Sequence, residues 1–133
     1  MMAAMPIAPS KLHHVSRQTK NLDVTQKFYE DILGFRAISR PPFNFRGAWL
    51  YGFGMQLHLI EEPYDAPDPA INTRENHVAF AIDSLDDAEA VVKAHGLTYH
   101  RQEVPERGTG QIFFRDPDGW LIEVGVYAAV MDK

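Results

Sequence analysis

His14-Val15 is followed eight residues later by Leu22-Asp23, and the same pairs return at His77-Val78 and Leu85-Asp86, each displaced by 63 positions. One offset shared by separate dipeptides marks a duplicated module. Later in each copy a glycine opens a short apolar run whose fifth residue is polar: Gly54-Met55-Gln56-Leu57-His58, then Gly119-Trp120-Leu121-Ile122-Glu123. His14, His58, His77 and Glu123 therefore stand at equivalent points of two repeats.

Alternation of period two makes Lys11 to Gln18 a strand with His14, Ser16 and Gln18 on one face. Val24, Phe28, Ile32 and Leu33 fall near helical spacing, with Asp23 as N-cap or first-turn acid and Gly34 as C-cap. Strands at 35–39, 48–53 and 56–60 complete a βαβββ unit. A proline-rich, acidic stretch from Glu61 to Arg74 reads as a linker. The order then repeats as a strand over 76–82, a helix over 85–95 closed by Gly96, and strands near 98–103, 111–115 and 121–127. Asp116-Pro117-Asp118-Gly119 is turn chemistry. The expectation is an α+β chain of two βαβββ modules, 11–61 and 76–127, joined by a linker at 62–75. They form a curved, barrel-like mixed sheet around a metal-containing cleft, with helices outside and tails at 1–10 and 128–133.

A chain of 133 residues can bury a real core without staples. The absence of cysteine removes disulfides, thiolate metal sites and a cysteine nucleophile together, leaving histidine and carboxylate as the strong ligands. A net charge of −5 with scattered Lys and Arg argues against nucleic acid and anionic membranes as partners. Met1 to Pro9 lacks the basic and apolar regions of a signal peptide, and no apolar run approaches the roughly 20 residues that span a bilayer. A cytoplasmic protein is expected.

The neighbours of the four repeat positions sharpen the reading. Leu57 and Leu59 flank His58, Val78 and Phe80 follow His77, and Ile122 and Val124 flank Glu123, while Ser16, Gln56, Ala79, Ala81 and Gly125 share the ligand faces and leave room for a cavity. Glu123 is the only carboxylate inside an otherwise apolar strand. A buried carboxylate is costly unless charge or donors meet it, and a divalent cation would do so. His13, His95 and His100 break the register and take no role. No phosphate-binding glycine loop or serine nucleophile elbow is present.

Leu12-His13-His14-Val15, Phe28-Tyr29 through Leu33-Gly34-Phe35, Asn76-His77-Val78-Ala79-Phe80, and Asp116-Pro117-Asp118-Gly119 followed by Ile122-Glu123-Val124 resemble one superfamily over residues 11–127. It is the glyoxalase, bleomycin-resistance and extradiol-dioxygenase group, the vicinal oxygen chelate (VOC) proteins. Phe43 through Leu50, running into Leu57-His58-Leu59, is most similar to glyoxalase I-like proteins of plants and bacteria. The resemblance implies a single VOC domain with one divalent ion per site, held by His14, His58, His77 and Glu123. Such a nitrogen-rich set does not distinguish Zn, Ni, Co, Fe and Mn. It also implies a small-molecule substrate that chelates through neighbouring oxygens, glutathione adducts included.

The expected activity is that of a metal-dependent, lactoylglutathione lyase-like lyase or isomerase on a small α-oxygenated carbonyl compound or a glutathione hemithioacetal. Glu123 is the expected catalytic base, and Arg17, Arg46, Trp49 and Tyr51 are expected to bind substrate. Glyoxalase I proper usually has a glutamate where this chain has His58, so only one carboxylate base is at hand. Two rival readings are a non-catalytic binding or resistance protein of the same fold and an Fe(II) extradiol-type dioxygenase. A homodimer is expected, with the modules pairing either within a chain or across it.

Overall fold

The structure is a computed structural model and describes residues 5–129. Residues 1–4 and 130–133 of the expected tails lie outside the described residues. Module one runs β1 (His14–Thr19), α1 (Leu22–Phe28), a π-helical turn (Tyr29–Leu33), β2 (Arg36–Ile38), β3 (Gly47–Gly52) and β4 (Met55–Glu61). Module two runs β5 (His77–Ala81), α2 (Leu85–Ala94), β6 (Tyr99–Val104), a 3₁₀ turn (Pro105–Arg107), β7 (Thr109–Arg115) and β8 (Leu121–Val126). Each module folds into its own mixed four-stranded sheet, ordered β1-β4-β3-β2 and β5-β8-β7-β6. The fold is α+β, and the two sheets do not close into one hydrogen-bonded barrel.

The repeat extends to the helix starts. Asn21 accepts from Val24 N at 3.3 Å and Ser84 accepts from Asp87 N at 3.1 Å, so each helix is capped one residue before its Leu-Asp pair. Asp23 is thus a first-turn acid and Asn21 is the cap. Phe53 and Gly54 both carry positive φ, 55° and 75°, the two-residue pattern that suits a tight hairpin between β3 and β4.

One core serves both modules. Leu22, Phe28, Leu50, Leu57 and Leu59 from the first and Val92, Ile112, Phe114, Ile122 and Val124 from the second belong to a single buried cluster. Phe28 of α1 reaches across to Phe114 of β7, ring centroids 6.3 Å apart. Burial at this density leaves the opposite strand faces, with His58 and Glu123, free for chemistry.

The Asp116-Pro117-Asp118-Gly119 turn does more than reverse the chain. Asp118 is 7% exposed and accepts from Lys20 N at 2.9 Å and from Thr25 Oγ1 at 2.6 Å, both in module one. Asp116 accepts from Tyr29 OH at 2.6 Å and from the backbone N–H groups of Asp118 and Trp120. Trp120 Nε1 donates to Gln18 O at 2.9 Å, completing a polar clamp between the modules. Arg115 is drawn inward by Glu75 and by the carbonyls of Pro69, Ala70 and Gly119, which fixes the linker.

Burial pushes Asp116 up to about 6, against the hydrogen bonds from Tyr29, Trp120 and Asp118. A carboxyl raised above its unfolded value stabilises the fold most at low pH, and that contribution is lost as pH rises from about 4 through 6. Asp116→Asn removes this slope. Relative to wild type, the variant is expected to gain about 2–3 kcal/mol between pH 4 and pH 7. Urea midpoints measured at both ends of that range check the prediction, and an unchanged difference would refute it.

Candidate metal centre

His14 projects from β1 and His58 from β4, parallel neighbours in which Ser16 lies opposite His58. His77 projects from β5 and Glu123 from β8, with Ala79 opposite Glu123. In each module the second residue therefore faces the position two beyond the first, so each pair lies on a short diagonal of one sheet face.

The first pair is a stack. The His14 and His58 rings lie 4.1 Å apart at 12°, and Trp49 covers the other side of His58 at 4.3 Å and 4°. Burial, then the nearby positive charge of His14, His13 and Arg40, lowers the His58 pKa and favours a neutral ring. Its Nε2 lies 2.9 Å from Gln56 Oε1, two residues back on the same face.

The second pair faces nitrogen to oxygen. His77 Nδ1 is 2.7 Å from Glu75 O, a contact that requires Nδ1–H and leaves the Nε2 lone pair outward in the neutral ring. That Nε2 lies 3.1 Å from Glu123 Oε1, so two acceptors face one another unless a proton or cation sits with them. Two ligands at right angles around an ion, each about 2.1 Å from it, stand about 3 Å apart. Glu123 is 6% exposed, and its other oxygen accepts from Tyr127 OH at 2.5 Å. Tyr127 reaches it by folding back over Gly125, where a Cβ would lie 2.7 Å from the phenol oxygen.

The donor types suit a divalent ion, as does the His77–Glu123 spacing, but one chain presents them as two halves. Among the described residues no three His, Asp or Glu side chains approach closely enough to hold one ion. The structure unites His14 with His58 and His77 with Glu123, and it does not unite the pairs.

The expected substrate residues divide. Trp49 and Tyr51 lie opposite His58 and Gln56 across the β3–β4 ladder, with Arg36 4.9 Å over the Tyr51 ring. Arg17, an odd-numbered neighbour of Ser16, lies on the other face. It lines the interior beside Tyr29, Leu57 and Phe80, its guanidinium 5.8 Å from the Trp120 ring. Arg46 pairs with Asp23 at 3.3 Å and Glu61 at 3.6 Å. Glu75 and Tyr127 escaped the sequence reading, and Gln56 was placed on the ligand face without its contact to His58. Gln56 and Tyr127 share the period-two face of a ligand, and that was the available signal.

The comparisons agree with this architecture. The family model described as Glyoxalase/Bleomycin resistance protein/Dioxygenase superfamily matches residues 11–124. The chain is 40% identical to Glyoxylase I 4 of Arabidopsis thaliana, over 92% of this chain and 74% of that protein. It is 30% identical to a lactoylglutathione lyase of Haemophilus influenzae, over 83% of this chain and 87% of that one. A glyoxalase/dioxygenase structure from Nostoc punctiforme superposes with a TM-score of 0.76 at 26% identity, covering 97% of this chain and 99% of that one. A Listeria monocytogenes fosfomycin resistance protein, complexed with Mn(II) and a dihydroxypropylphosphonic acid, shares the fold with a TM-score of 0.77 at 21% identity, covering 90% and 94%. The chain belongs to the glyoxalase/bleomycin-resistance/dioxygenase superfamily.

Proposed function

We propose that the chain is a cytoplasmic, divalent-metal-dependent lyase or isomerase acting on a small α-oxygenated carbonyl compound or a glutathione hemithioacetal, with each site completed by a second copy. The observation that carries this reading is the matched pair of diagonals, His14 with His58 and His77 with Glu123, displayed as separate halves. A twofold partner would bring the first half of one chain to the second half of the other. The free edges of β1 and β5, which end their respective sheets, are the strands such a partner would meet.

The ion would supply Lewis-acid polarisation of a carbonyl oxygen and hold its neighbour. His14, neutral His58 and the outward Nε2 of His77 would be its nitrogen donors, with Glu123 beside them. Glu123, steadied at one oxygen by Tyr127, would take the carbon-bound proton beside the carbonyl with its other oxygen and return it to the adjacent carbon once that oxygen, which faces His77 Nε2, is free of the ion. No oxidant or reductant is consumed. Trp49 and Tyr51 shape the adjoining surface, whereas Arg17 and Arg46 are engaged elsewhere and fall outside this proposal.

Metal analysis of unchelated protein, followed by a hemithioacetal assay with each metal restored, tests the reading. His58→Glu sharpens it. The substitution supplies the carboxylate that the resemblance puts at this position, and a well-placed base contributes at least about 100-fold to rate. Isomerase activity is expected to rise by about tenfold or more. A variant that keeps its metal and shows unchanged activity on every hemithioacetal tried would rule the chemistry out.

A further inference from the structure

Arg115 commits every donor it has. Its Nη1 and Nη2 grip the two carboxylate oxygens of Glu75, at 2.9 and 2.6 Å, and its remaining N–H groups reach the carbonyls of Pro69, Ala70 and Gly119. All five guanidinium donors are thus taken. Fixing the linker needs only the carbonyls of Pro69 and Ala70, so the two-pronged grip on Glu75 calls for a second reason.

Glu75 is the residue whose own carbonyl lies 2.7 Å from His77 Nδ1. Its peptide is held from the other side too, since Glu75 N donates to Asn72 O at 3.1 Å and Arg74 N to Asn72 Oδ1 at 3.0 Å. Arg115 and His77 both stand opposite Leu121, on either side of β8, so they share a sheet face and a level. The first repeat carries no such device. The residue 63 positions before Glu75 is Leu12, which is 66% exposed, and His14 Nδ1 meets His13 Nδ1 instead.

A neutral His77 ring has two states. With its proton on Nδ1 it donates to Glu75 O and leaves the Nε2 lone pair on the side of Glu123 Oε1, 3.1 Å away. With its proton on Nε2 it would donate to Glu123 and close off both ligands, while Nδ1 and the Glu75 carbonyl would meet as two acceptors. A carbonyl that cannot swing away makes the second state costly.

We propose that Arg115 is a positioning residue for His77: by holding Glu75 in place it selects the Nδ1–H ring and keeps Nε2 open to an ion. The proposal rests on the metal reading for what Nε2 receives, whereas the tautomer is a property of the metal-free chain.

Nitrogen NMR of the full-length, metal-free protein labelled at histidine, with His77 assigned from a His77→Gln variant and titrated to its neutral form, tests it. The wild-type ring is expected to be Nδ1–H, and Arg115→Met is expected to shift it toward Nε2–H. Mn(II) affinity, read by competition with a chelator, should fall by about 10–100-fold in the same variant. Arg115→Lys, which can keep one contact to Glu75, should recover part of both. Arg101→Met breaks a comparable ion-pair cluster on β6 and should change neither. If Arg115→Met fails to fold, Glu75→Gln, which keeps the backbone carbonyl and weakens the grip, carries the test with the same expected direction. A wild-type protein that binds Mn(II), with tautomer and affinity unmoved in the folded variants, would overturn the proposal and leave the metal reading standing. A tautomer shift in a protein whose wild type binds no ion would uphold the control of the ring and sink the metal reading. Equal shifts in Arg101→Met would trace the effect to general loosening and overturn the proposal.

Discussion

Replacing Asp118 with alanine is expected to cost about 3–5 kcal/mol of stability, since it removes two hydrogen bonds to a charged acceptor, each worth about 1.5–3 kcal/mol. The carboxylate is almost fully buried, and its loss would strand Thr25 Oγ1–H and Lys20 N–H without acceptors. Burial pushes Asp118 up, yet the hydrogen bonds it receives, that from Thr25 foremost, outweigh burial and hold it below the ordinary carboxylate range. Its contribution is therefore present at neutral pH and lost as pH falls through that depressed value. At about 3–5 °C per kcal/mol, the melting temperature should drop by at least about 10 °C. Asp65, on the exposed linker, is the control, and its alanine variant should stay within about 0.5 kcal/mol of wild type. Equal effects at the two positions in a thermal melt would show that the turn is not a clamp.

Mixing two inactive chains is expected to restore metal binding. His14→Ala damages the first half of a site and Glu123→Ala the second, so either homodimer should hold no tightly bound ion. In the heterodimer, one interface collects both substitutions and the other collects none. One ion per heterodimer should then bind with wild-type affinity, a change from essentially nothing to half occupancy. The same ion should raise the melting temperature, because a ligand that binds only the assembled state stabilises it by mass action. His95→Ala and His100→Ala should leave that shift intact, as neither ring approaches Glu123 or His58 in the contacts seen here. A confirmed heterodimer that binds no metal would exclude the shared site.

Periodicity carried the repeat, because a strand that presents a ligand to one side and apolar bulk to the other must alternate. It also carried the diagonal pairs, whose register follows once His14 and His77 are matched. Long-range polar contacts left no such trace. Asp118 reaches Thr25 across 93 residues, and nothing local in Asp116-Pro117-Asp118-Gly119 distinguishes a clamp from an ordinary turn. Arg17 had the sequence of a substrate residue beside a ligand strand, yet the same alternation that exposes Ser16 turns it inward. Tyr127 depends on a ring folding back over Gly125, which strand periodicity can permit but not require. The proline-rich, acidic composition marked only a linker, and it is the half-buried Arg115 side chain, paired with Glu75, that shows what fixes it.

The shared core carries a consequence for how such a chain tolerates being cut. Although the sequence reads as two copies, Phe28 and Tyr29 of the first complete the interior of the second, so neither copy holds a finished hydrophobic centre alone. A single proteolytic nick at the exposed residues Asp65 or Ala66 should leave both fragments bound to each other and the fold intact. Either fragment expressed by itself should behave as an unfolded chain, and the two should recover structure only when refolded together.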